Sequence, residues 1–137
     1  MKIEYILPSR VAIIDELRKS VSLIDLLEEI SIQVKSGQSI LNFDVPSDVI
    51  VSVVRESEIG NIQSSLRLEL IDPTGDINIL MLDAKFQMHT MHMRTRIRFD
   101  QIILPFNKPG RYFLRAKISK NEKTSDYAID FSHENYY

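Results

Sequence analysis

Nine consecutive residues, Met91-His92-Met93-Arg94-Thr95-Arg96-Ile97-Arg98-Phe99, alternate in character without a break. A period of two marks a strand with one buried face, and no helix keeps such a set on one side. The alternation predicts Met91, Met93, Thr95, Ile97 and Phe99 toward a core, and His92, Arg94, Arg96 and Arg98 toward water. The opposite register would bury three guanidinium groups, each at a heavy desolvation cost.

Other segments carry the same signature. Asp72-Pro73-Thr74-Gly75-Asp76 is a turn: Pro fixes φ, Gly tolerates positive φ, and Asp side chains bond nearby amides. It joins Leu66–Leu70, which alternates, to Ile77–Leu82, which partly does, and so predicts a hairpin. Asn107-Lys108-Pro109-Gly110 is a second turn, entering a strand over 111–118 with Tyr112, Leu114, Ala116 and Ile118 on one face. A further strand is expected over 126–131. Val49–Val54 is a β-branched run of the kind found in a buried strand.

Composition agrees with this pattern. The chain has 19 Ile and 8 Val but only 4 Ala, which favours pleated packing over helix. At 137 residues a single domain is expected, read as residues 1–131 with a C-terminal tail at 132–137. The N-terminal third is ambiguous. Leu17, Val21, Ile24 and Leu27 stand at helical spacing and predict a short helix near residues 15–30. The alternative is a hairpin whose polar end is 15–20 and whose return strand is 21–30.

The order of these segments resembles a family of uncharacterised bacterial proteins of similar length. The resemblance rests on Val21–Leu27 after a polar turn, the apolar strand beyond Pro46, the Asp72–Gly75 turn and the Pro109–Tyr112 strand entry. Many members carry Gly where this chain has Asp25. The resemblance favours the hairpin, implies a β-sandwich and brings no catalytic residues. The expected fold is therefore an all-β, single-domain antiparallel β-sandwich of seven to eight strands, immunoglobulin-like or jelly-roll-like.

Motifs for chemistry are missing. No Gly-rich phosphate loop or Gly-x-Ser-x-Gly elbow occurs, and with no Cys there is neither a disulfide nor a thiolate ligand. His89 and His92, three apart on a strand, would face opposite ways and could not share an ion. Glu28/Glu29, Glu56/Glu58 and Asp72/Asp76 read as solvated carboxylates. No enzyme, catalytic residue, metal or cofactor is expected. No signal peptide or spanning segment is visible, which together with the absence of Cys reads as a cytoplasmic protein with no membrane role.

The net charge of −2 conceals an asymmetry. Residues 1–84 carry 7 Lys/Arg against 14 Asp/Glu, whereas residues 85–123 carry 10 against 2. If the strands holding His92, Arg94, Arg96 and Arg98 and holding Arg111, Phe113, Arg115 and Lys117 shared one outer face, they would form an anion- or partner-binding patch. Cross-strand pairing of these cations with acids is the alternative. The sequence thus points to a protein-binding or self-assembling module, with anion or nucleic-acid binding as the second reading.

Overall fold

The period-two patterning is realised as an all-β chain. In the computed structural model, residues 1–15, 17–35 and 42–136 are described. They contain β1 (Lys2–Asp15), β2 (Ser20–Leu26), β3 (Glu29–Lys35), β4 (Phe43–Val54), β5 (Ile62–Ile71), β6 (Ile77–Met88), β7 (Arg94–Phe106), β8 (Gly110–Ile118) and β9 (Thr124–Tyr136). One sheet has the order β2-β1-β4-β7 and the other β3-β9-β8-β5-β6.

Four expectations need correction. The described residues form nine strands rather than seven to eight, and β3 runs parallel to β9 while the other neighbouring pairs are antiparallel. No helix occurs among the described residues. The 15–30 region is instead a turn and two strands, with Val11 opposite Ile24 and Ile14 opposite Val21. Asp15 Oδ1 accepts the amides of Leu17 and Arg18, and Lys19 adopts φ 56°, which closes the turn. Glu16 lies outside the described residues. Leu17, the would-be anchor of a helical stripe, is 96% exposed. Finally, β9 continues past residue 131 through Tyr136, because β3 pairs beside it from Asp130 to Tyr136. His133 is thus in a strand and not in a tail; Tyr137 lies outside the described residues.

Alternation sorts the core. Val49, Val51 and Val53 of β4 with Phe99, Leu104 and Phe106 of β7 meet Leu66, Leu68 and Leu70 of β5 and Tyr112, Leu114, Ala116 and Ile118 of β8 in one apolar cluster. The Phe106 and Phe131 rings stack across the two sheets, with centroids 5.1 Å apart and 12° between planes, and Tyr112 meets Phe106 edge-on at 4.8 Å. The Tyr112 hydroxyl donates to the Lys108 carbonyl (2.9 Å) and accepts the amides of Asn107 and Lys108 (3.1 Å each), which ties the β7–β8 turn to the start of β8. Gly110, at φ 137°, lies against Pro73; a Cβ there would sit 2.7 Å from Pro73 Cγ. The two turns are thereby locked together.

β4 is covered on both faces. Ile50 and Ser52 alternate with the core valines yet are fully buried, as are Ala12 and Ser9 of β1. Asp48, two residues before Ile50, is buried on that same side. Its Oδ1 accepts the Gln101 amide (3.0 Å) and its Oδ2 the Ala12 amide (3.0 Å), with the Arg98 guanidinium at 3.4 Å. Asp48 faces a bulge of β7, where Gln101 takes φ 52°. One carboxylate thus pins β1, β4 and β7, and beyond it the β1–β2 hairpin continues to Ile14 and Lys19, which share a cleft with residues 91–96 at the start of β7. Burial raises the Asp48 pKa, but the two amides and Arg98 outweigh it and hold the carboxyl below its usual range.

Two stability outcomes follow. Phe106→Ala removes the ring shared by both sheets and should cost about 3–5 kcal/mol in chemical denaturation. Asp48→Ala leaves buried amides unpaired and should cost about 2–5 kcal/mol, with hydrogen-exchange protection lost at Ala12 and Gln101.

Candidate functional site

Of the eight residues expected to form one basic patch, seven are divided between two sheets. Arg94, Arg96 and Arg98 lie on β7 of the four-stranded sheet, while Arg111, Phe113, Arg115 and Lys117 lie on β8 of the five-stranded sheet. His92 is on neither: it sits in the β6–β7 turn, with its carbonyl and that of His89 accepting from Arg55. The strand expected over 91–99 therefore starts at Arg94. Phe99 is in the core as anticipated, but Met91 and Met93 point to water rather than inward, and Thr95, Arg96 and Ile97 are all half-buried, so Arg96 is not the open side chain that alternation predicts. His89 and His92 also depart from expectation. Their turn brings the ring centroids to 5.4 Å, where a continuous strand would have set them apart. No group of three potential metal ligands occurs among the described residues.

Most of these cations have acidic partners. Arg94 pairs with Glu4 (2.8 Å), Arg98 with Asp48 and Asp100, Arg111 with Asp130 (2.8 Å) and Arg115 with Asp126 (2.7 Å). Arg96 donates to the Tyr5 hydroxyl at 3.0 Å. Asp130 and Asp126 raise the pKa of Arg111 and Arg115 in turn, and the Arg111 guanidinium lowers that of Asp130. Acidic and basic segments of the sequence are thus neighbours in space, which disfavours a continuous anion-binding face.

What remains on the outer face of the five-stranded sheet is an apolar row. Ile77 of β6 stands opposite Ile71 of β5, Ile71 opposite Phe113 of β8, and Phe113 opposite Ala128 of β9. Because Leu70, Tyr112 and Leu114 face the core, these four face outward; Phe113 is 37% exposed and Ile77 57%. On one side of the row lies the Arg111–Asp130 pair. On the other lie Ile79, Glu69, Arg115 and Asp126 in register, then Arg67, Lys117 and Thr124. An apolar row is thereby flanked by charged side chains, of which Arg111–Asp130 and Arg115–Asp126 are paired. Phe113 was legible as a member of this face; Ile71 and Ile77 were not singled out. Their signal was adjacency, since Leu70-Ile71 and Tyr112-Phe113-Leu114 have apolar residues of both parities, so one must face out.

The Asp72 turn closes this face at one end. Asp72 Oδ1 accepts the Thr74 hydroxyl (2.6 Å) and the amides of Thr74 and Asp76, and Lys108 lies 3.3 Å from Oδ2. The Thr74 hydroxyl, then the two amides and Lys108, outweigh burial and lower its pKa from 3.8 to about 2. Elsewhere, a depression of about 650 Å³ lies along β5 and β6, lined among others by Ser64, Asp83, Lys85 and Lys120. Among the described residues that line it no nucleophile is hydrogen-bonded to a base, and Asp83 is the one acid. No family model and no curated protein matches this chain. No helix of the described residues is long and apolar enough to cross a membrane.

The depressed Asp72 pKa sets a pH dependence. As pH falls, the unfolded chain takes up this proton first, so the stabilisation is complete above about pH 5 and is lost between about pH 4 and pH 2. The difference in denaturation midpoint between the wild type and Asp72→Asn should be flat above that window and close within it.

Proposed function

We propose that this chain is a non-enzymatic protein-binding or assembly module, built as an immunoglobulin-like β-sandwich and using the outer face of its five-stranded sheet. The observation that carries the binding reading is the Ile77–Ile71–Phe113–Ala128 row, rimmed by cross-strand charge pairs. A row of apolar side chains in water gains free energy when a partner covers it, and aromatic and Arg residues at such positions contribute most. Arg111 and Arg115 of the rim, already held by Asp130 and Asp126, favour orientation and specificity over capture of a polyanion.

The immunoglobulin-like assignment is supported by strand order. β1, β4 and β7 adjoin in one sheet, while β5, β8 and β9 adjoin in the other with β6 added at its edge. This is the distribution of strands A, B and E against C, F and G. Tyr112, near the start of β8 with its hydroxyl bonded to residues 107 and 108, has the position and contacts of the tyrosine corner of such domains. That pattern favours the immunoglobulin-like arrangement over a jelly roll. The lack of Cys fits a reducing compartment such as the cytoplasm.

Light scattering during size-exclusion chromatography, run over a range of protein and salt concentrations, together with affinity capture from native lysate, tests the reading. Wild-type protein should self-associate or retain a defined protein partner. Phe113→Asp should lose that association while its thermal midpoint changes little, since the residue is exposed. A monomer at every concentration whose captured proteins are the same for wild type and Phe113→Asp would refute it.

A further inference from the structure

A separate feature occupies the end of the molecule away from the Asp72 turn. Three connections meet there. Arg55, at the start of the β4–β5 loop, donates to the carbonyls of His89 and His92 in the β6–β7 turn and of Glu58 in its own loop. Asn61 Oδ1 accepts the Thr90 amide, which ties the same two loops again. The β1–β2 turn joins them across a cleft of about 540 Å³, to which Lys19 contributes from one side and residues 91–96 from the other.

These three connections carry the most exposed large apolar side chains described in the chain: Leu17 at 96%, Ile59 at 94%, Met91 at 88% and Met93 at 65%. Single exposed apolar residues are ordinary, but here four share one end. They stand on three different connections, the two methionines sharing one. A protein partner would need a matching hollow for each tip, whereas a lipid interface yields around any of them. The cleft between the tips supplies a second signal. Lys19, His92, Arg94 and Arg96 line it, and no carboxylate is among the described residues that do so. Arg94 carries Glu4 as a counter-ion from outside the lining, whereas the partner of Arg96 is the neutral Tyr5 hydroxyl. Apolar tips set beside cations are the two signals that together hold a protein on an anionic membrane surface, where either alone is marginal.

We propose that this end of the molecule docks peripherally on an anionic lipid surface, with Leu17, Met91 and Met93 entering the acyl boundary and a lipid phosphate headgroup seated among Lys19, Arg94 and Arg96. Ile59 extends the same apolar footprint from the neighbouring loop. No spanning segment is required for attachment of this kind. The surface is distinct from the Phe113 face, so either can fail without the other.

The chain contains no Trp, so Met91→Trp introduces a single reporter into the tip. Its emission should shift to the blue on mixing with vesicles of phosphatidylcholine and phosphatidylglycerol, and stay unshifted with phosphatidylcholine alone. In co-sedimentation with the mixed vesicles, the triple variant Leu17→Ser/Met91→Ser/Met93→Ser and the double variant Lys19→Gln/Arg96→Gln should each bind about tenfold more weakly or worse. Phe113→Asp should bind as the wild type does, and thermal melts of all variants should stay close to that of the wild type. Several results would overturn the proposal. One is no sedimentation with either vesicle. Another is binding that the triple variant leaves unchanged. A third is saturation by inorganic phosphate or glycerol phosphate with no added affinity for vesicles, which assigns the cleft to a free anion. The last is a blue shift that tracks protein concentration without lipid, which assigns the tips to a second copy of the chain.

Discussion

The carboxylate of Asp48 is the constraint on which the four-stranded sheet depends. Buried beneath the β1–β2 hairpin, it accepts from amides on β1 and β7 and from the Arg98 guanidinium. A buried anion is tolerated only when such donors surround it, so the group fixes where β1 leaves β4 and where β7 bulges at Gln101. Beyond that pin Ile50 and Ser52 alternate with the core valines and are fully buried too, so β4 is covered on both faces. The cleft shared by Lys19 and residues 91–96 exists because the hairpin is held there.

Against this polar pin, the contact between sheets is aromatic. Phe106 and Phe131 stack from opposite sheets, and Tyr112 closes the group edge-on while its hydroxyl returns to the turn at 107–108. Burying the Tyr ring and satisfying its hydroxyl are one event, since the core ends where the turn begins. The same turn meets Pro73 through Gly110, where there is no room for a side chain. Hydrophobic packing and turn geometry thus specify the same relation of β5, β7 and β8, next to which Ile77, Ile71, Phe113 and Ala128 pair in one outer row.

Several features were legible from residue order alone. The hairpin about Asp72–Asp76 and the shared face of Tyr112, Leu114, Ala116 and Ile118 depend on periodicity and turn chemistry, which are local, whereas the packing of Tyr112 and Leu114 into the core is what turns Phe113 outward. The helix anticipated near 15–30 fails because Leu17, Val21, Ile24 and Leu27 are equally compatible with a helical face and with a half-exposed hairpin. The turn bonds of Asp15 and the neighbouring β1 decide between them. The strand expected over 91–99 begins late because Arg55, far away in sequence, takes the carbonyls of His89 and His92.

By itself, then, the sequence determined the predominance of strand, the main turns and the alternation of strands such as 66–70 and 111–118, because side-chain alternation and the φ preferences of Pro and Gly act within a few residues. Only the tertiary structure decided which strands share a sheet. That choice placed Arg94, Arg96 and Arg98 apart from Arg111 and Arg115, and set Glu4, Asp126 and Asp130 beside their cations. It also gathered Leu17, Ile59, Met91 and Met93 at one end, though they lie in loops far apart along the chain. Strand pairing is a long-range contest between hydrogen-bond registers and buried area, and nothing in a local pattern of alternating residues records its winner.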